Sequence, residues 1–437
     1  MTIRAACAAL SVLLAVSACD WSVAETPLPD TATETRPSPA IETATLSIEV
    51  DSLWLLPAEA AGDWVVIGFL HNETSTGIEE LLIQVAVEGP GGTQVAAVTT
   101  STLMSNLAPG EAGPFTATFR GIGLAERVEA QVIRFTPVVV HRSDLEIEVL
   151  EQFATESGEL ALLGMASNPG DRTQFISWLG LVALGADSHP RALAQTRSGP
   201  LMLAPGEAVP FLALASGSPG NARWLPYHDA VQVEKPGPSA VAWDEGPRIR
   251  ANSQGRPYVV GSLRNESDSA QQASVLLVLR SGDRILSLTE IRSPLPLEPG
   301  QRLAFAAKDF PGLSLRLEGL DLESLRVESR LQSTGAVEHA LAMYTEVTAF
   351  HSVGSSIFIR GILRNDGEVA VSSAAVFAEI RSPEGELLTA GWFSPPSQLA
   401  PGEQTDFVID LPLPEGTDPS ELEYDLRALG VPVEATE

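Results

Sequence analysis

The sequence predicts an all-β chain built as four tandem sandwich domains, and three observations carry that prediction. The first is a motif repeated four times. A Gly-x-x-x-Asn pattern stands at Gly68–Asn72, Gly164–Asn168, Gly261–Asn265 and Gly361–Asn365. Each copy is followed by a Leu-x-Pro-Gly tetrad, with Pro109-Gly110, Pro205-Gly206, Pro299-Gly300 and Pro401-Gly402 as its last two residues. A phenylalanine lies five residues beyond each tetrad, at Phe115, Phe211, Phe305 and Phe407. The second is the spacing: the first glycines are 96, 97 and 100 residues apart, the length of a small domain and not of a solenoid repeat. The third is an apolar period of two inside each copy, with turn signals at the intervals of an all-β sandwich.

Taken in chain order, the first element is an amino-terminal secretion signal over 1–18. Met1 to Arg4 gives a short positive start, and Ala5 to Val16 an apolar run too short to span a bilayer as a mature helix. Its end, Val16-Ser17-Ala18-Cys19, resembles the lipobox of bacterial lipoproteins, in which the cysteine thiol receives the lipid. Cys19 is then the predicted lipidation site and the mature N-terminus. The other cysteine, Cys7, falls inside the removed segment, so no disulfide is expected within one mature chain. Two or more acyl chains on one residue anchor stably where one does not. No other apolar stretch reaches about 18 residues, so the expected membrane contact is through the lipidated N-terminus.

Residues 19–44 read as a tether. Pro27, Pro29, Pro37 and Pro39 stand among Thr, Glu and Ala, and the segment has too little large apolar side chain to bury, so an extended, disordered linker is expected. Modules are expected over 45–142, 143–238, 239–338 and 339–437. The junctions near Arg142–Asp144, Pro236–Ala240 and Gly335–Glu338 are short, which predicts a rod-like array.

Within the first module, Leu81, Ile83, Val85 and Val87 share one face while Gln84 and Glu88 fall on the other, before Gly89-Pro90-Gly91-Gly92 breaks the run. Equivalent strands are predicted at Phe175–Leu184, Ser274–Leu279 and Ala374–Ile380. Ahead of them lie Trp64–Leu70, Leu160–Ala166, Tyr258–Leu263 and Ile357–Leu363, giving about six or seven strands per module. The motif residues are predicted to be fold determinants. Glycine inside a strand permits a bulge or the close approach of an aromatic ring. Asparagine at its end bonds backbone and tolerates a left-handed conformation. Pro-Gly suits a type II turn, with the leucine before it and the phenylalanine after it holding the turn to the core.

Together, the Gly-x-x-x-Asn strand, the alternating central strand and the Leu-x-Pro-Gly-[Glu/Gln]-x-x-x-Phe segment resemble the FxLYD-type and related immunoglobulin-like repeats of bacterial and archaeal envelope proteins. In place of the namesake stretch the strands read Ile83-Gln84-Val85-Ala86-Val87 and Val275-Leu276-Leu277-Val278-Leu279. The resemblance implies an Ig-like sandwich used as an extracellular spacer or binding module, with no catalytic residues to carry over.

Composition narrows the function. With 56 acidic against 27 basic side chains, a net charge of -29, the surface repels nucleic acid, and no nucleic-acid partner is expected. Six histidines (His71, His141, His189, His228, His339 and His351) are scattered, without a His-Glu-x-x-His. His339 and His351 are twelve residues apart in a stretch that reads as strand-poor. No nucleophile elbow or phosphate loop is present. Acidic pairs such as Glu79-Glu80, or Asp366 with Glu368, recur in no cleft-forming context. Three of the four asparagines precede an acid (Glu73, Glu266 and Asp366), which raises calcium, but an Asx-turn accounts for them. No catalytic residue, metal or cofactor is assigned. The expectation is a non-enzymatic, membrane-anchored scaffold or adhesion array that meets an envelope protein or a cell-wall polymer. The alternative is a small-ligand or glycan site on exposed aromatics, with Trp178, Trp224 and Tyr227 or Trp392 and Phe393 as its candidates.

Overall fold

A computed structural model describes residues 47–48, 54–57, 62–140, 142, 145–196, 199–217, 219–234, 239–317, 320–336 and 338–433. The signal segment, Cys19 and the tether lie outside the described residues, as do His141 and, at the three junctions, Ser143, Asp144, 235–238 and Val337. The described chain is all-β: antiparallel strands pair in sheets stacked as Ig-like sandwiches, and the α-helix among the described residues is one turn, Leu313–Arg316.

Six strands recur in every module, beginning with a leading strand (Trp54–Pro57, Glu146–Ala154, Val241–Ala251, Tyr344–Val353) that pairs with the next one. A glycine strand (Trp64–His71, Leu160–Ser167, Pro257–Asn265, Ser356–Arg364) precedes a central strand (Gly77–Glu88, Thr173–Leu184, Gln271–Ser281, Val371–Arg381). A hairpin strand follows (Gln94–Thr100, Pro190–Thr196, Arg284–Arg292, Leu387–Phe393), then a phenylalanine strand (Ala112–Phe119, Ala208–Gly217, Arg302–Ala307, Gln404–Pro412). A closing strand ends each module (Arg127–Val138, Arg223–Val233, Leu325–Gly335, Glu423–Pro432). The glycine strand pairs with the phenylalanine strand in one sheet, and the central strand lies between the hairpin and closing strands in the other. In the second module the hairpin strand also pairs with the phenylalanine strand, Ala194 opposite Ala215, which joins the two sheets into one of seven strands. The stretch that reads as strand-poor in sequence holds the ten-residue strand Tyr344–Val353, paired along the fourth glycine strand. Its apolar residues alternate with charged and hydroxyl side chains because its outer face meets solvent.

The central strands show how the modules associate. In the first, Leu81, Ile83, Val85 and Val87 are buried and the alternate residues are not, as for a strand with one wet face. In the third, Val275, Leu277 and Leu279 enter that module's own core, whereas Leu276 and Val278 join the core of the second module. In the fourth, Ala374, Val376 and Ala378 face inward and Ala375 and Phe377 pack with the third module. In the second, Leu179 and Leu181 are core, and Val182 packs with Ile67 of the first. Each later central strand is therefore apolar on both faces, because the preceding module covers the second one.

Candidate functional site

The four-fold motif builds one structure four times. Each asparagine is buried: Asn72, Asn168, Asn265 and Asn365 are 0%, 1%, 0% and 3% exposed. Each side-chain amide donates to the carbonyl four residues on, at 2.8–2.9 Å (Thr76, Arg172, Ser269, Val369). It donates also to the tetrad leucine carbonyl, at 2.7–3.0 Å (Leu107, Leu203, Leu297, Leu399). Its oxygen accepts the N–H two residues on, at 3.0–3.1 Å. The asparagines do not use the left-handed conformation they can tolerate: among the described residues, the non-glycine residues with positive φ are Glu80 and Ser188. Burial with three good partners holds the asparagine instead. The tetrad glycines do take positive φ, 72° to 77°, and Glu111 N–H donates to Ala108 O at 3.1 Å, as in a type II turn.

One part of the corner was not assigned from sequence. The residue after each tetrad (Glu111, Glu207, Gln301, Glu403) folds back and accepts the backbone N–H of the tetrad's second residue at 2.7–2.8 Å. The signal was present, as a Glu or Gln at that position in all four copies. The motif glycines lie opposite the motif phenylalanines in register, and those rings are at most 1% exposed. A Cβ on Gly361 would press on Glu346 O and lie 2.6 Å from Phe407 Cζ, so the glycine makes room for the ring on one side and a neighbouring strand on the other. Register shifts at Leu163/Gly164 and Val347/Ala349 mark the same point.

The polar residues that could carry chemistry are engaged structurally. His71 Nε2 lies 2.9 Å from Gly110 O, His339 pairs with Glu298, and His351 stacks on Phe358. Asp366 pairs with Arg364, and Thr136 donates to Glu80. Among the described residues, no group of three His, Cys, Asp or Glu is placed to hold a metal ion. The aromatics considered as a glycan platform are half-buried in packing. Trp178 and Tyr227 lean on the first module's core, with Tyr227 5.6 Å from the Phe69 ring. Trp224 packs on the second core, Trp392 against Phe377, and Phe393 against Phe407. They supply contacts within and between modules.

The junctions concentrate the buried charge. Asp229, 2% exposed, accepts from Arg142 Nη1 at 2.8 Å, Ser177 Oγ at 2.9 Å and Ser105 N at 3.1 Å, and Arg142 Nε reaches the turn-closing Glu111 at 2.8 Å. Burial raises the Asp229 pKa, but the hydrogen bonds from Ser105, Ser177 and Arg142 outweigh it and hold the carboxyl below the ordinary aspartate range. At the next junction Arg330 pairs with the turn-closing Glu207 at 3.0 Å. At the third, Tyr258 O–H donates to Leu388 O at 2.9 Å, Arg302 meets Glu379 at 2.7 Å and Arg381 meets Glu245 at 2.9 Å. Between the second and third modules these contacts leave an open cleft of about 940 Å³.

No protein-family model matches the chain, and no curated protein matches it. Among solved structures, it aligns with native Escherichia coli alpha-2-macroglobulin at 11% identity and a TM-score of 0.13, covering 88% of this chain and 29% of that one. The trypsin-activated form gives 12%, 0.14, 88% and 31%, and the form activated by porcine elastase gives 11%, 0.13, 87% and 43%. The chain thus spans less than half the length of these macroglobulins, and likeness at this level carries no functional argument.

Proposed function

We propose that the chain is a membrane-anchored, extracytoplasmic lipoprotein whose modules act together as a non-enzymatic binding scaffold of the cell envelope, related to the FxLYD-type repeats. The observation that carries this reading is how the repeated polar residues are used. Every motif asparagine, and every Glu or Gln after a tetrad, bonds backbone within its own module, and the buried ion pairs tie one module to the next. Residues that recur four times thus serve the fold, and the chain's chemistry is that of a stiff presenting surface. Val16-Ser17-Ala18-Cys19 supports lipid attachment, and the Pro/Thr-rich stretch after it supports a spacer between lipid and modules.

The test is metabolic labelling with an alkyne fatty acid in a bacterial host, comparing the native chain with Cys19→Ala. The expected result is label and membrane fractionation for the native chain and loss of both in the variant. An unlabelled native chain would defeat the anchor. Cross-linking in cells, followed by mass spectrometry of the captured species, then tests the scaffold. A recurrent protein or polymer partner supports it, and turnover of any substrate by the purified chain would refute the non-enzymatic reading.

A further inference from the structure

The third module departs from its siblings in one place. Between the phenylalanine and closing strands it carries residues 308–324, whereas the corresponding connections run 120–126, 218–222 and 413–422. The extra residues form the helical turn Leu313–Arg316, and they build one wall of the cleft against the second module. The turn is pinned from across the junction. Glu156 accepts from Gly312 N at 2.7 Å, Ser314 N at 2.9 Å and Ser314 Oγ at 2.7 Å, while Arg316 lies over the Phe153 ring and pairs with Glu151. This wall is held in place and yet presents Leu315 at 57% exposure. Phe310 and Leu313 of the insertion fill the third module's core, whereas Leu315 has no part in that core and lines the cleft.

We propose that this cleft binds a basic polypeptide segment bearing large apolar side chains. Leu212, Leu214, Leu288 and Leu315 give an apolar floor and wall, and about 940 Å³ is ample for two or three such side chains. The polar lining sets the sign of the partner. Of the carboxylates, Glu290 is paired with Arg292 at 3.1 Å and Glu156 holds Gly312 and Ser314; of the cations, Lys308 is paired with Asp410 at 2.6 Å, which leaves Glu159 and Asp309 against Arg256. Asp309 and Glu159 are both exposed, and among the described residues the Glu159 carboxylate takes the Ser157 hydroxyl and no cation, so both are open to an incoming one. The chain's net charge of -29 steers the same kind of partner toward it. This deepens the scaffold reading by naming a partner class. Its test runs on the purified chain, so failure here leaves the Cys19 labelling result standing.

The experiment titrates the full chain, carrying Cys19→Ser so that no detergent is needed, into fluorescein-labelled peptides read by anisotropy. One peptide is Lys-Leu-Trp-Lys-Leu-Lys; its counterparts replace every Lys by Glu, or Leu and Trp by Ser. The basic apolar peptide should bind at least about tenfold tighter than either counterpart and weaken with added salt. Leu315→Ser should weaken it about tenfold through lost apolar contact. Asp309→Asn should weaken it about threefold and flatten the salt dependence. Both positions are exposed, so neither variant disturbs the core. Absence of binding, equal affinity for the acidic peptide, or indifference to Leu315→Ser would overturn the proposal. Displacement by oleate with no preference between peptide charges would assign the cleft to an acyl chain and overturn it too.

Discussion

Replacing Asn265 by alanine tests the repeated corner most directly. The side chain donates to Ser269 O at 2.8 Å and Leu297 O at 2.7 Å, and it accepts from Ser267 N at 3.0 Å and Ser267 Oγ at 2.8 Å. Alanine removes all four bonds from a site that is 0% exposed. The loss is moderated, because Leu297 O keeps the Gln271 N–H at 3.0 Å and Ser269 O keeps the Ser267 hydroxyl. At about 0.5–1.5 kcal/mol net per bond, the expected cost is about 2–4 kcal/mol. For a module of this size that lowers the urea midpoint by about 1–2 M. The assay is urea unfolding of the full chain read by hydrogen exchange, since modules in one chain need not unfold together. Protection should fall first in Pro257–Asn265 and Arg302–Ala307, the two strands the corner joins. Asn265→Asp keeps the acceptor but aims a carboxylate at two carbonyls, and it should cost at least as much at neutral pH. A midpoint unchanged by Asn265→Ala would mean that water replaces the amide without loss, and the corner would not be a fold determinant. The same change at Asn72, Asn168 and Asn365 serves as an internal repeat.

The two glycines should respond unequally to alanine. At Gly361 the added Cβ presses on a backbone oxygen, whereas at Gly261 its nearest neighbour is Trp243 Cζ3 at 3.1 Å, so thermal melts should show about 1–3 kcal/mol lost in the first case and clearly less in the second. Tyr258→Phe removes a buried hydroxyl bond spanning the third junction, and calorimetry should show a loss of about 0.5–1.5 kcal/mol with the fourth module's exchange most affected. Asp229 makes the first junction sensitive to acid. Its folded pKa lies below the unfolded value of about 3.9, so its stabilisation is complete above that value and is lost as pH falls through the folded pKa. Exchange protection around Ser105 and Ser177 should hold from neutrality to about pH 4 and then fall, and Asp229→Asn should weaken it at neutral pH and remove that acid dependence.

Much of a module was legible because its rules are short-range. Pro-Gly places its own turn, an alternating strand announces one wet face, and the opposed glycine and phenylalanine record a ring lying across a backbone. The glycine and central strands extend past one or both of their expected ends, by three residues at each of Gln271 and Val371, since ladder pairing continues beyond the apolar pattern. The corner glutamates were visible as letters but not as a role, because closing the turn requires a side chain to fold back onto a nitrogen three residues earlier. The packing of the aromatics was not legible: a tryptophan in a strand looks the same whether its outer face meets water or another module, and only the neighbour decides.

By itself, then, the sequence determined the number of modules, their sandwich fold and the turns that close them, since each depends on residues within one repeat. The tertiary structure decided which module covers which face, which carboxylates meet which arginines, and where a cleft is left. Those partners lie as far apart as Glu151 and Arg316, 165 residues along the chain. No local pattern encodes such a pairing, because it arises only when two finished surfaces meet and exclude water between them.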